Sequence, residues 1–268
     1  MDRLKPSHVE AWKVELANRG LAESTVRTAY TVLRAVLDTA VRDDALARNP
    51  AAAVARPKVT TKEAAFLSPA QVRVLLSEAA SSRYASLFEL LVNTGLRRGE
   101  ALALTWSDVD FDRQLIRVRG TLARVEGELT VTEPKTAKSR RVIHLSPTTE
   151  RVLRAVRLAQ KEDRLRAGSA WVQTPYVFTT ETGEPCDPRN ALRALKSAAK
   201  RAELPLGVGL HTLRHTAATV MIENNVSLKV VSELLGHFSV SITGDIYAHV
   251  SPDVSAQAME ALGAAIDA

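Results

Sequence analysis

The sequence predicts a mostly α-helical chain with a small antiparallel β-sheet, an α+β arrangement, preceded by a small helical N-terminal domain. Three observations lead there. Apolar residues recur at helical spacing through most of the 268 residues, and the period shortens toward two between Leu115 and Leu145. An aperiodic stretch carrying Pro50 and Pro57 separates the first helical pattern from the rest. The chain is accordingly read as a helical unit over 1–57, a linker over 58–65 and a larger domain over 66–268.

In the first unit Val9, Trp12 and Leu16 precede Gly20, and Val26, Tyr30, Leu33, Leu37 and Val41 precede "RNP", which predicts two helices. "FLSPAQVRVLL" offers Ser68 as a helix cap, with Pro69 in the first turn, where its missing N–H costs nothing. A helix through Leu87, Leu90 and Leu91 breaks at "NTG". The segments "LIRVRG", "ELTVTE" and "RRVIHL", with Gly120 and Gly127 at turns, predict the sheet. Helices return over 147–167, 188–202 behind Asp187 and Pro188, 210–223, 227–235 stopped by Gly236, and 252–266.

Lys and Arg number 36 against 30 acidic residues, a formal charge of +6 with a pI near 9.6, which suits a polyanionic partner. The excess is local: residues 113–141 hold eight basic and three acidic side chains, five of the six net charges. Lys135, Lys138, Arg140 and Arg141 crowd one stretch that runs into a predicted strand, which suggests an ordered basic hairpin. Cys186 is the single cysteine, so no intramolecular disulfide forms. No apolar run reaches the roughly 18 residues of a membrane span, and the N-terminus lacks the apolar core of a signal peptide, so a cytoplasmic protein is expected.

Several side chains could carry chemistry. "NTGLRRGE" sets Arg97 beside a glycine break at a helix start, where free backbone N–H groups favour an anion. "HTLRHT" places His211, Arg214 and His215 on one helical face. A zinc site on His211 and His215 is disfavoured, because Thr212 stands where a zinc hydrolase carries its glutamate and no acidic third ligand is evident. A Cys-x5-Arg phosphatase loop fails at Leu192, and neither a P-loop nor GxGxxG is present.

Taken in order, "TGLRRGE", "PKTAKSRR", "HTLRHT" and "LLGHFSVSITGDIYAHV" resemble the four signature blocks of the tyrosine recombinases, especially integrases of phages and mobile elements. The resemblance spans residues 66–250. It implies a site-specific recombinase that cleaves and rejoins DNA through a 3′-phosphotyrosine. Residues 1–57 would then be a shortened core-type DNA-binding domain. Arg97, Lys135, His211, Arg214 and His237 would surround the scissile phosphate, with Tyr247 as nucleophile. Thr212 departs from the aspartate often found in that block.

These residue types suit the reaction. A phenol of pKa near 10 is only about one part in a thousand ionised at pH 7, so Tyr247 needs a base, for which His211 is placed. Two arginine forks meet the phosphate oxygens and stay charged throughout, with His237 as a third donor. Lys135 supplies the leaving 5′ oxygen with a proton, Arg98 and Lys138 being the nearest competitors for the two labels. Lys138, Arg140 and Arg141 are expected on flanking DNA phosphates. By the same resemblance no cofactor or metal is required, and the working form is a homotetramer on double-stranded attachment sites, monomeric in solution, with an accessory DNA-bending protein as a further partner. Two rival readings stand beside this one. "ATVMIENNVSLKVVSELLGH" has a helix-turn-helix pattern that a non-catalytic regulator could use, and a type IB topoisomerase would share the phosphotyrosine chemistry.

Overall fold

A computed structural model describes residues 4–60, 65–132 and 140–236, and the chain divides into two compact units, Met1–Glu63 and Ala64–Ala268. In the first, helices α1 (Pro6–Asn18) and α2 (Glu23–Arg42) pack with a short 3-10 turn, Pro50–Ala53, around Val9, Tyr30, Leu37, Ala51 and Val54. The Tyr30 hydroxyl lies 2.8 Å from both the Ala51 and Val54 carbonyls, so the ring fills the core while its oxygen serves the backbone of the turn. Asn49 accepts from the Ala51 N–H at 2.8 Å and caps the same turn.

The second unit opens with α3 (Pro69–Ala79). Ser68 accepts from the Gln71 N–H, and Gln71 accepts from the Ser68 N–H, closing a reciprocal capping box. Helix α4 (Ala85–Thr94) is the centre of the core: Leu87, Phe88, Leu90 and Leu91 are wholly buried, each worth about 1.5–3 kcal/mol of transfer free energy. It packs against α6 (Pro147–Ala167) and α8 (Leu210–Glu223), while α3 rests on α7 (Pro188–Arg201). Short α5 (Arg98–Ala103) follows α4, and α9 (Leu228–Leu235) follows α8.

The predicted single sheet is two. Strands β1 (Val109–Asp110), β2 (Leu115–Val118) and β5 (Arg141–His144) form one antiparallel sheet, in which Ile116 pairs with Ile143. Strands β3 (Thr121–Val125) and β4 (Glu128–Thr132) form a separate hairpin. Glu126 and Gly127 both have positive φ, +50° and +92°, the two-residue turn whose twist matches the flanking strands. Gly120 is where the chain leaves one sheet for the other: a Cβ there would lie 2.7 Å from Val131. Of the basic stretch, Arg141 begins β5, which pairs with β2; residues 133–139, where the basic hairpin is expected, lie outside the described residues. Among the described residues no helix is long and apolar enough to cross a membrane. The expected helix over 252–266 lies outside the described residues.

Candidate active site

Helix α4 stops at Gly95, whose φ of +64° is left-handed, and a Cβ there would lie 2.5 Å from Leu235 Cδ2. Glycine therefore permits both the turn and the close approach of α9. Arg97, two residues on, caps α5. Its backbone N–H donates to Glu100 Oε2 at 2.8 Å and its Nη1 to Glu100 Oε1 at 2.8 Å, so one carboxylate fixes main chain and head group together. Its Nη2 donates to the Gly236 carbonyl at 3.0 Å.

Arg214, on α8 and only 4 % exposed, donates from Nη1 to the Gly95 carbonyl and from Nη2 to the Leu235 carbonyl, both at 2.7 Å. Arg141, at the start of β5, donates from Nε to the Leu234 carbonyl at 2.6 Å, and its two terminal nitrogens reach the two oxygens of Glu100 at 3.1 and 2.8 Å. Three guanidinium groups from three elements therefore serve three successive carbonyls, Leu234, Leu235 and Gly236. The physical reason is the end of α9: the last carbonyls of a helix have no partners within it and carry the negative end of its dipole. Burial alone would raise the pKa of Glu100, but hydrogen bonds and charge from Arg141 and Arg97 outweigh it and hold the carboxyl below its ordinary value.

His211 lies in the first turn of α8. Thr212 beside it accepts from the Gly209 N–H at 3.0 Å, which closes the helix start and gives this threonine a structural use. His211 borders a cleft of about 360 Å³ lined also by Arg97, Arg98, Gly99, Leu192 and Gly209. Burial first, then the charges of Arg214, Arg97 and Arg98, push its pKa below the ordinary histidine value. The shift favours the neutral imidazole, whose unprotonated ring nitrogen can take a proton. The His215 ring stands edge-on to it, centroids 6.0 Å apart, and is likewise shifted down, by burial first and then by His211 and Arg214. Among the described residues no group of three or more His, Cys, Asp or Glu side chains could hold a metal ion.

The structure brings Arg97, His211 and Arg214 together; Lys135, Lys138, His237 and Tyr247 lie outside the described residues. Arg140 is exposed and borders a groove of about 560 Å³ that Arg117, Arg119 and Arg141 also line, but the Arg141 side chain is 7 % exposed and its guanidinium is turned onto Glu100. The basic cluster is also less positive than its sequence: Arg117, Arg119, Arg124 and Arg141 meet Asp110, Asp108, Asp187 and Glu100. Only folding brings Asp187 and Glu100 to it. Glu100 was not among the predicted site residues. Its spacing of three from Arg97 at a helix start was the available signal.

Residues 65–253 match the phage integrase family. The chain belongs to this family, the tyrosine recombinases, enzymes that cut and rejoin DNA. A tyrosine recombinase XerC-like protein of Caldanaerobacter subterraneus subsp. tengcongensis is 32 % identical, over 97 % of this chain and 71 % of its own. The ICEBs1 integrase of Bacillus subtilis is 28 % identical, over 94 % and 69 %. Among solved structures, the Tn1549 transposon integrase in complex with transposon right end DNA superposes with a TM-score of 0.81 at 25 % identity, covering 97 % of this chain and 86 % of that one. The recombinase therefore has the mixed fold of its family, and its α8–α9 pair, the basis of the regulator reading, lies within the matched region.

Proposed function

We propose that this recombinase is the site-specific integrase of a phage or other mobile element, and that Arg97, His211 and Arg214 act with Lys135, His237 and Tyr247 on one scissile phosphate. The observation that carries this reading is the convergence of Arg97 and Arg214 on the consecutive carbonyls of Gly236 and Leu235, with His211 lining the same cleft as Arg97. His237 follows that point directly in the sequence and Tyr247 ten residues later.

In this mechanism His211 takes the phenolic proton as Tyr247 oxygen attacks phosphorus. The bond between phosphorus and the 5′ oxygen breaks, and Lys135 protonates that oxygen as it leaves. Arg97 and Arg214 stabilise the charge that builds on the non-bridging oxygens, and stay protonated while doing so. The product is a 3′-phosphotyrosine and a free 5′ hydroxyl. Attack by a 5′ hydroxyl of another duplex reverses the step and joins new strands, with neither ATP nor metal consumed. Four protomers on two sites, cutting in pairs, would complete the exchange, and residues 1–57 would also bind DNA.

Arg140 and Lys138 contact flanking phosphates in this reading, whereas the Arg141 guanidinium is turned onto Glu100. The test is to recover DNA covalently attached to the protein from a pool of genomic fragments, sequence it, and place two copies of that site in one plasmid. Exchange between them in EDTA and without ATP supports an integrase. Relaxation of supercoils without exchange would instead identify topoisomerase chemistry.

A further inference from the structure

We infer that Arg141 is a positioning residue for strand cleavage, which acts by holding Glu100 against Arg97 and by fixing the end of α9. The inference rests on the reading of Arg97 as a phosphate contact. Its basis is geometric. All three guanidinium nitrogens of Arg141 are engaged, Nε on the Leu234 carbonyl and both Nη on Glu100, and the side chain is 7 % exposed. Glu100, itself 4 % exposed, is shared by the two arginines: Oε1 accepts from Nη1 of both, and Oε2 accepts from Arg141 Nη2 and the Arg97 backbone N–H. The set closes on itself: β5 reaches α9 through Arg141, α9 reaches Arg97 through Gly236, and Arg97 returns to Arg141 through Glu100. Space there is filled, since a Cβ on Gly236 would lie 3.0 Å from Arg141 Nη1.

Removing Arg141 leaves Glu100 with one cationic partner, so Arg97 is drawn further onto it and away from a substrate phosphate. The Leu234 carbonyl also loses its donor. Lysine cannot substitute: a single ammonium has no planar fork to span both Glu100 oxygens while reaching Leu234. Arg140 and Arg141 are thus neighbours with opposite duties. Arg140 belongs to DNA affinity, and Arg141 to the rate of cleavage once DNA is bound.

The experiment compares Arg140→Ala and Arg141→Lys on the attachment-site duplex, measuring affinity and the single-turnover cleavage rate at saturating protein. Arg141→Lys should slow saturated cleavage about tenfold or more, the scale of a misplaced catalytic group, with affinity within about twofold of wild type. Arg140→Ala should do the reverse. A second substrate, with one non-bridging oxygen of the scissile phosphate replaced by methyl, presents less charge for Arg97. The Arg141→Lys defect should shrink on it, as that of Arg97→Ala should, whereas a damaged fold slows both substrates alike. Because a lone buried carboxylate could unfold the variant, Glu100→Gln with Arg141→Met provides a neutral pair of similar size; it should fold and show the same substrate dependence. Wild-type cleavage by Arg141→Lys, weakened binding with unchanged saturated cleavage, or an equal defect on both substrates would overturn the inference. Failure of the underlying reading looks different: Arg97→Ala itself would then cleave like wild type, or be slowed equally on both substrates.

Discussion

Arg97 and Arg214 donate to adjacent backbone carbonyls, Gly236 and Leu235, from helices far apart in sequence. The pair holds the end of α9 and sets two cations side by side. The two differ in exposure: the Arg97 side chain is 35 % exposed, while Arg214 is 4 % exposed. Alanine at either position should lower cleavage about 10²-fold or more, the scale for loss of one preorganised donor to a transition state. Arg214→Ala should also lower the melting temperature, because it strips donors from two buried carbonyls, and Arg97→Ala should do so less. Single-turnover cleavage with thermal unfolding of each variant checks both statements.

The expected pH dependence follows from the proposed role of His211 as general base. Its pKa lies below the ordinary 6.5 because of burial and three arginine charges. A general base works in its neutral form, so cleavage at subsaturating DNA should be flat through neutrality and fall only as pH drops through that depressed pKa. Such measurements report the free enzyme, before substrate phosphate changes the field. His211→Ala should remove that acid limb along with most of the rate. A limb unchanged in the variant would assign the base elsewhere.

Glu100 predicts acid sensitivity of the fold. Its folded pKa is below the ordinary 4.5, so its contribution is present above the unfolded value and is lost as pH falls through the folded one. Glu100→Gln should cost about 3 kcal/mol near pH 7, the scale for breaking a buried ion pair, and the gap to wild type should close in acid. Denaturant titrations across pH measure it.

Much of this was readable from residue order. Ser68 with Pro69, Asp187 with Pro188, and the glycines at 95 and 236 mark helix ends by local rules, because a cap or a left-handed turn needs only its neighbours. The division of the sheet was not readable, since period-two alternation says which face a residue takes and nothing of which strand it pairs with. Arg140 and Arg141 look alike in sequence; Glu100, 41 positions from Arg141, separates their roles only once the chain has folded. The same long-range pairing explains why charge counted along 113–141 overstated the field.

The proposed role of Lys135 as general acid is tested through the leaving group. Lys135→Ala should slow cleavage of the ordinary phosphodiester and recover much of the rate on a substrate with sulfur at the 5′ bridging position, since a thiolate leaves without a proton. Equal slowing on both substrates would move the acid elsewhere, first to Lys138.

The central claim is covalent attachment through one phenol. Wild-type protein and Tyr247→Phe are incubated with a nicked attachment-site duplex that traps the cleaved state, denatured, and resolved by gel, with the attached residue identified by peptide mass. The account predicts an adduct on Tyr247 in the wild type, none in the variant, and comparable DNA binding by both. An adduct formed by Tyr247→Phe, or mapped to another residue in the wild type, would contradict it.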